Sequence, residues 1–346
     1  MNRPFVNIES KNIVDELLNE LNKNIDKFLS FGEVVGIILD GGLSRGYADY
    51  LSEIDIIIYL TQEQFLKYKR VKTPIPLGIT KIDGYLYDIK IENYDEVLTR
   101  DFDMVALWDL SYAKVIYDPY NKISDLIKLK LSQPVSIAQA ESLMFSAWWN
   151  YRLAGDIWIN RKDVAQGHFV LNNAIKPLIS ALFIVNGEYI PHEKWIIHMT
   201  RTLEWKPDNW DDILGRVLAT GGFDLQSLVT RQLVIDELWT WIDNELTKKT
   251  GLEVRFMQKY FYESFKLLIE NKSMAIEEWE KIGSIDVLNN QPFHDVISIS
   301  ERTIFVDIDK LVFLQPNDMY GWFFEVADKV RQQLNIKGSR TKKDAL

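Results

Sequence analysis

The chain contains no cysteine. That excludes disulfides, thiolate metal sites and thiol nucleophiles, and it fits a reducing cytoplasm. Histidine is nearly as scarce: His168, His192, His198 and His294 are the whole supply. No two stand at a spacing such as HxxxH, so a zinc site built on histidine is not expected. Net positive charge is missing too. Forty basic against fifty acidic residues leave −10, which disfavours a polynucleotide partner, since phosphates need Lys and Arg to neutralise them. An acidic surface suits a cationic ligand or simply keeps the protein soluble. Long apolar runs are absent; the longest, "LISALFIVN", is too short to span a bilayer. The first residues, "MNRPFVNIES", lack the apolar stretch of a signal peptide. A soluble, cytoplasmic protein without a membrane or nucleic-acid partner is therefore expected.

What is present is an ordinary globular composition. Hydrophobic residues make up 47% of the 346, enough for two or three domains. Tryptophan is abundant, with eleven residues, and "AWWNYR" at 147–152 is crowded enough to line a pocket. Residues 12–29 carry a helical apolar period. "VVGIILD" (34–40) and "IDIIIYL" (54–60) are apolar and β-branched, hence buried strands. "ITKIDG" and "YLYDIKI" are the third-strand candidates, with a hairpin across Asp83 and Gly84 if both form. "YAKVIYDP" (112–119) offers another strand.

After Pro134 the pattern becomes helical. Ser136 and Gln139 form a capping-box signature that opens a helix to about residue 159. A second helix is expected over 164–185, ending at Asn186 and Gly187, and more near 192–204, 209–219, 225–248 and 253–271. "HDVISISERTIFVDID" (294–309) alternates like strand, and 319–334 like an amphipathic helix. The expected fold class is α+β: an N-terminal α/β domain with a small mixed sheet (1–133), a helical bundle (134–250) and a C-terminal α+β region (251–346). The last carries no motif; forming a homodimer and covering a cleft are the roles left open for it.

The chemistry concentrates in "GIILDGGLSRGYADYLSEIDIIIYL", 36–60. An apolar strand breaks at Gly41 and Gly42, and Glu53 and Asp55 head the next strand. Carboxylates at i and i+2 of a strand point to one face. Two like charges side by side are costly unless a cation joins them, and a divalent metal would supply that cation. Asp88, an isolated acid in "YLYDIKI", is the candidate third carboxylate, with pairing to Lys90 on the same face as the plainer alternative.

This stretch resembles the signature of the nucleotidyltransferase superfamily that includes DNA polymerase beta and the antibiotic adenylyltransferases. That signature runs strand, Gly-Ser, turn and helix, then Asp-x-Asp on the next strand. Here Gly42 stands at the Ser position, Glu53 follows eleven residues later as the first carboxylate, and Asp55 matches the second. The resemblance is close over 36–60 and loose over 34–91. It implies Glu53, Asp55 and Asp88 as catalytic metal ligands for two Mg²⁺ ions. It implies Gly41, Gly42, Ser44 and Arg45 at the phosphates of ATP or another NTP, with helix amides assisting. Two departures stand out: Gly42 lacks the Ser hydroxyl, and Glu53 is one methylene longer than Asp.

Residues 136–250 resemble the helical domain of aminoglycoside nucleotidyltransferases. In "ISALFIVNGEYIPHEKW", Lys194 falls where those enzymes place a triphosphate-binding lysine. By 3–4 spacing Phe145, Trp149, Arg152 and Asp156 share a helix face, so Trp149, Arg152 and Asp156 are substrate-binding candidates, with an Arg152–Asp156 helix pair beside core aromatics as the plainer alternative. The family recruits a base carboxylate from this domain; Glu141 and Asp156 are both candidates. "RKDVAQGH" weakly resembles the Arg-x(4–6)-His motif of RNase toxins through Arg161 and His168. The implied activity is transfer of an NMP, with AMP favoured, to a hydroxyl of a small cationic acceptor such as an aminoglycoside-like molecule. A catalytically degenerate nucleotide-binding protein and an enzyme that adenylylates a protein are the alternatives.

Overall fold

The structure is a computed structural model, and it describes residues 9–251, 259–290, 293–314 and 321–336. The chain divides into two compact units. One comprises Met1–Leu143 with Asn172–Gly221, the other Met144–Leu171 with Gly222–Leu346.

The first unit is built on a five-stranded mixed sheet in the order β3-β4-β2-β1-β5. The strands are β1 (Val34–Leu39), β2 (Ile54–Leu60), β3 (Gly78–Ile82), β4 (Tyr85–Asn93) and β5 (Lys114–Tyr117). β1 runs antiparallel to β2 and β5, whereas β2 and β4 are parallel. The hairpin is real: β3 pairs antiparallel with β4 across Asp83 and Gly84, both at positive φ (49° and 96°), as a tight two-residue turn requires. Because side chains alternate along a strand, each face has its own core. Ile37, Leu39, Ile54, Ile56, Ile58, Tyr87 and Ile89 pack against Leu17, Leu21, Phe28 and Phe31 from the N-terminal helices. Full burial of each such side chain contributes about 1.5–3 kcal/mol. On the opposite face Ile38, Ile57 and Tyr59 meet Val97, Leu110, Ile123 and Leu126. On β1 and β2 and the turn after β1, acids fall only on that second face, at one end, as Asp40 and Asp55.

The helix Val164–Val185 encloses Pro177 and ends as expected. Gly187 is left-handed (φ 70°), and the Glu188 amide reaches back to the Phe183 carbonyl at 2.9 Å, a Schellman closure. It is the one helix among the described residues long and apolar enough to cross a membrane, although 72% of its apolar window is buried in protein.

The helix expected over 136–159 is not uniform. Gln139–Trp148 passes into a π-helical segment, Trp149–Ala154, and then into Gly155–Arg161. Both pairs that the 3–4 spacing implies do meet, the Phe145 and Trp149 rings at 6.1 Å and Arg152 with Asp156 at 3.7 Å, while the π turn shifts the register between the two pairs. The long helix Leu225–Thr250 starts on an Asp224 cap and stops at left-handed Gly251. Further on, β6 (Ser273–Ala275), β8 (Thr303–Val306) and β7 (Ile297–Ser300) form a small antiparallel sheet. It covers Phe265, Leu268, Trp279, Phe293, Val296 and Leu311. Gly321–Gln333 is the expected amphipathic helix. The start of the expected 253–271 helix lies outside the described residues.

Candidate active site

At the end of β1 the chain turns sharply. The Asp40 amide donates to the Asp55 carbonyl at 2.9 Å, closing the β1–β2 ladder. Gly41 follows at φ +68°, and a Cβ there would lie 1.8 Å from Asp55 Oδ2. The Asp55 carboxylate therefore packs directly on the glycine backbone, which only glycine permits. Gly41–Ser44 is one short helical turn, and Ser44 Oγ donates to the Gly41 carbonyl at 2.8 Å. Four residues make too short a helix to supply the dipole that the resemblance implies.

Three acids line up across the sheet. Asp55 on β2 is in register with Asp88 on parallel β4, and Asp40 is its neighbour across β1. Glu53 stands beside them, lining the same cavity as Asp55. The crowding has an electrostatic signature: burial first, then the Glu53 and Asp40 charges, push Asp55 up to about 6. Lys90 acts in the opposite sense. Its ammonium is 3.1 Å from the Asp88 carboxylate, which is the pairing weighed against a metal role for Asp88. Among the described residues no three His, Cys, Asp or Glu side chains are gathered closely enough to hold a metal ion.

A cavity of about 200 Å³ opens over this end of the sheet. Gly42, Ser52, Glu53, Asp55, Lys194 and Trp195 line it. Lys194, distant in sequence, thus joins Gly42, Glu53 and Asp55 within the first unit. Gly42 is open: a Cβ there would find Tyr47 O at 3.5 Å and the Trp195 ring at 3.9 Å.

Two of the expected phosphate contacts are used otherwise. Ser44 is buried, with its hydroxyl on the Gly41 carbonyl. Arg45 is buried among aromatic rings, its guanidinium carbon 4.5 Å from the Trp108 centroid and 5.3 Å from that of Trp195. It pairs with Asp109 at 3.2 Å. Arg45 is a strut that fixes the Gly turn to the helix Met104–Tyr112 and to Trp195.

The expected acceptor-binding residues belong to the second unit. Trp149 is 53% exposed. Arg152 and Asp156 form an i, i+4 ion pair at 3.7 Å, and Asp156 also accepts from Gln232 at 2.8 Å. Of the two base candidates, Asp156 is thus engaged. Glu141 lies half-buried on Gln139–Trp148 and has an interaction of its own. His168 is buried with Nδ1 3.3 Å from the Arg231 guanidinium, while Arg161 lies over the Trp158 ring. Each half of the RNase-like motif thus has a separate structural partner.

Asp40 was missed in the sequence. Its signal was present: it shares strand parity with Ile38 and directly precedes the glycine pair, so it had to face the same side as Asp55.

No protein-family model matches the sequence, and no curated protein matches it. Among solved structures the chain is similar to a nucleotidyltransferase-like protein from Exiguobacterium sibiricum 255-15, whose crystal structure was determined at 1.90 Å resolution. The TM-score is 0.40 and the identity 12%, over 82% of this chain and 93% of that one. A likeness this loose carries no weight for activity, so function is argued from the side chains.

Proposed function

We propose that the protein is a nucleotidyltransferase that moves an NMP, with AMP favoured, from an NTP to a hydroxyl of a small acceptor. The observation that carries this reading is the Asp55 carboxylate seated on Gly41, in one acidic row with Asp40 and Asp88 and in one cavity with Gly42 and Lys194. Clustered carboxylates that raise the pKa of the acid at their centre are held against their own repulsion, and such arrangements concentrate at functional sites.

The donor set is oxygen only, as Mg²⁺ prefers, and the like charges around Asp55 call for a cation. Glu53 and Asp55 are the residues that would hold it; Asp88 would have to leave Lys90 to join them. When bound, such an ion neutralises phosphate oxygens and polarises the phosphorus under attack. The chain's own contributions are distinct. The Gly41–Gly42 backbone lets phosphates approach without a Cβ in the way. Lys194 supplies a mobile positive charge at the cavity. A carboxylate of the row that does not hold the ion takes the acceptor's proton. The acceptor hydroxyl attacks the α-phosphorus, the bond to the β-phosphate oxygen breaks, and pyrophosphate leaves.

The Lys90–Asp88 pair favours one second reading, a degenerate relative that binds nucleotide without turnover. Pyrophosphate release separates the two. NTPs are screened with Mg²⁺ and a panel of hydroxylated acceptors, with Asp55→Ala as control. Release that depends on the acceptor and is lost in Asp55→Ala supports the enzyme. Nucleotide binding without release across the panel supports the binder.

A further inference from the structure

A second cavity, about 290 Å³, lies in the first unit over the inner half of the same sheet face. Its floor is apolar, made by Ile38, Ile57, Leu110 and Ala106. Its polar lining is one-sided, with five carboxylates against the single guanidinium of Arg100. Most of these acids are already satisfied. Glu92 pairs with Arg100 at 3.4 Å and Asp109 with Arg45 at 3.2 Å. Asp103 accepts the Val105 and Ala106 amides as a helix cap.

Asp101 is exposed to solvent, which leaves Asp40 and Tyr59. Asp40 Oδ1 is buried with no hydrogen-bond partner. Tyr59 is 3% exposed, lines the cavity, and its hydroxyl has no hydrogen bond among the described residues. A buried polar atom without a partner, as Asp40 Oδ1 is, is costly and rarely left so without cause. Burial and the nearby Glu92 and Asp40 charges push the Tyr59 phenol's pKa upward, so it stays a neutral hydroxyl whose oxygen can accept.

The geometry points to a compact amine as the occupant, its ammonium at the Asp40 carboxylate end of the cavity and its apolar body on Ile38 and Ile57 toward Tyr59. An anion would meet the carboxylates. A neutral polyol would leave Asp40 unneutralised and gain little from the apolar floor. A hydrated divalent ion would gain nothing from the apolar floor. The volume lies at the lower edge of small-molecule cavities, roughly 300–1,000 Å³. It suits a single ring or a short chain, not a multi-ring aminoglycoside. Asp40 is the cross-strand neighbour of Asp55, so an amine held here would sit beside the acidic row. Its role as the acceptor rests on the nucleotidyl-transfer reading; its binding does not.

The probe is phenethylamine, compared with its neutral analogue 2-phenylethanol, by titration calorimetry or ligand-observed NMR on the full chain without nucleotide. The amine should bind at least about tenfold more tightly than the alcohol, since a charge-assisted contact to a buried carboxylate is at stake. Ala106→Phe, which fills the floor, and Asp40→Asn, which keeps shape and removes charge, should each weaken the amine by about tenfold or more. Circular dichroism reports folding, and Asp40→Asn alone carries the test should Ala106→Phe misfold. Equal binding of alcohol and amine, amine binding indifferent to Asp40→Asn, or no amine binding by the wild type would each overturn the proposal. Mg-ATP binding is measured in parallel. Amine binding that follows the variants while ATP binds nowhere would sink the nucleotidyl-transfer reading and leave this site standing.

Discussion

Polar groups at two places, one in each unit, are treated in opposite ways. Around the π segment of the second unit they answer one another. Gln232 Nε2 donates to the Tyr151 carbonyl at 2.7 Å and to Asp156 at 2.8 Å. The Tyr151 hydroxyl donates to Asp236 at 2.8 Å, and the Trp239 indole to the Met144 carbonyl at 2.9 Å. These bonds tie Leu225–Thr250 to the π segment and occupy backbone groups that a π turn leaves free. In the first unit, at the ends of β1 and β2, carboxylate faces carboxylate: Asp40, Glu53 and Asp88 all raise Asp55. One arrangement stabilises its fold. The other costs stability, and a chain tolerates that where the charges serve a ligand.

The largest expected break falls on Gly41. Gly41→Ala must take φ +68° and place its Cβ 1.8 Å from Asp55 Oδ2. The conformational strain is about 1–3 kcal/mol, and moving Asp55 adds to it. We expect a loss of roughly 3 kcal/mol or more by urea unfolding, with loss of nucleotide binding. A variant as stable as the wild type would show that the contact does not hold Asp55 in place.

Asp55→Asn should shift stability the other way. In the unfolded chain this carboxyl ionises near 3.8; in the folded protein it ionises near about 6. Between those values the folded state holds the extra proton, so stability falls as pH rises through the window and levels off above it. The ionised form costs up to ~3 kcal/mol at neutral pH. Asparagine cannot ionise, so in EDTA at pH 7.5 the variant should melt higher than the wild type and show a flatter pH profile. Any transfer activity should vanish. A lower melting temperature with an unchanged pH slope would mean that the acids do not repel as described.

Gln232→Leu tests the opposite unit. It strips partners from Asp156 and from the Tyr151 carbonyl, each loss costing about 1–3 kcal/mol when the group stays dry. A Cβ on Gly155 would lie 2.9 Å from Gln232 Nε2, so the glycine makes room for this amide. We expect about 2 kcal/mol of destabilisation by thermal melting at every pH between 5 and 8. A strong pH dependence would place an uncompensated charge there and erase the contrast.

The legible part of the site was local. Apolar strands, a glycine pair and acids at i and i+2 follow from residue type and spacing, and so did the Asp83–Gly84 hairpin and the Gly187 helix stop. Pairings between distant segments were not legible. Arg45 reads as a loop cation until Trp108 and Trp195 are seen around it. The π turn at Trp149–Ala154 has no sequence period of its own, and Gln232, which secures it, lies about eighty residues away. Lys194 could be placed only by resemblance, because nothing near it in sequence says which strand ends it will meet.

The smallest effect on stability, and the one that most sharpens the site, is expected from Gly42→Ser. Unlike Gly41, this glycine has an ordinary backbone, and its added Cβ would meet neighbours only at 3.5 and 3.9 Å. Stability should change by less than about 0.5 kcal/mol, as for substitutions that neither strain nor bury anything. The hydroxyl would enter the cavity lined by Glu53, Asp55 and Lys194. If phosphates lie against this turn, the new donor gains a contact, and Mg-ATP should bind about two- to tenfold more tightly, the worth of one net hydrogen bond. A glycine adjusted to a bulkier or differently placed ligand would instead show weaker binding at equal stability. Isothermal titration of Mg-ATP against both proteins distinguishes these outcomes. Affinity unchanged in either direction would mean that the phosphates do not touch Gly42, and the acidic row would then need a different ligand to explain it.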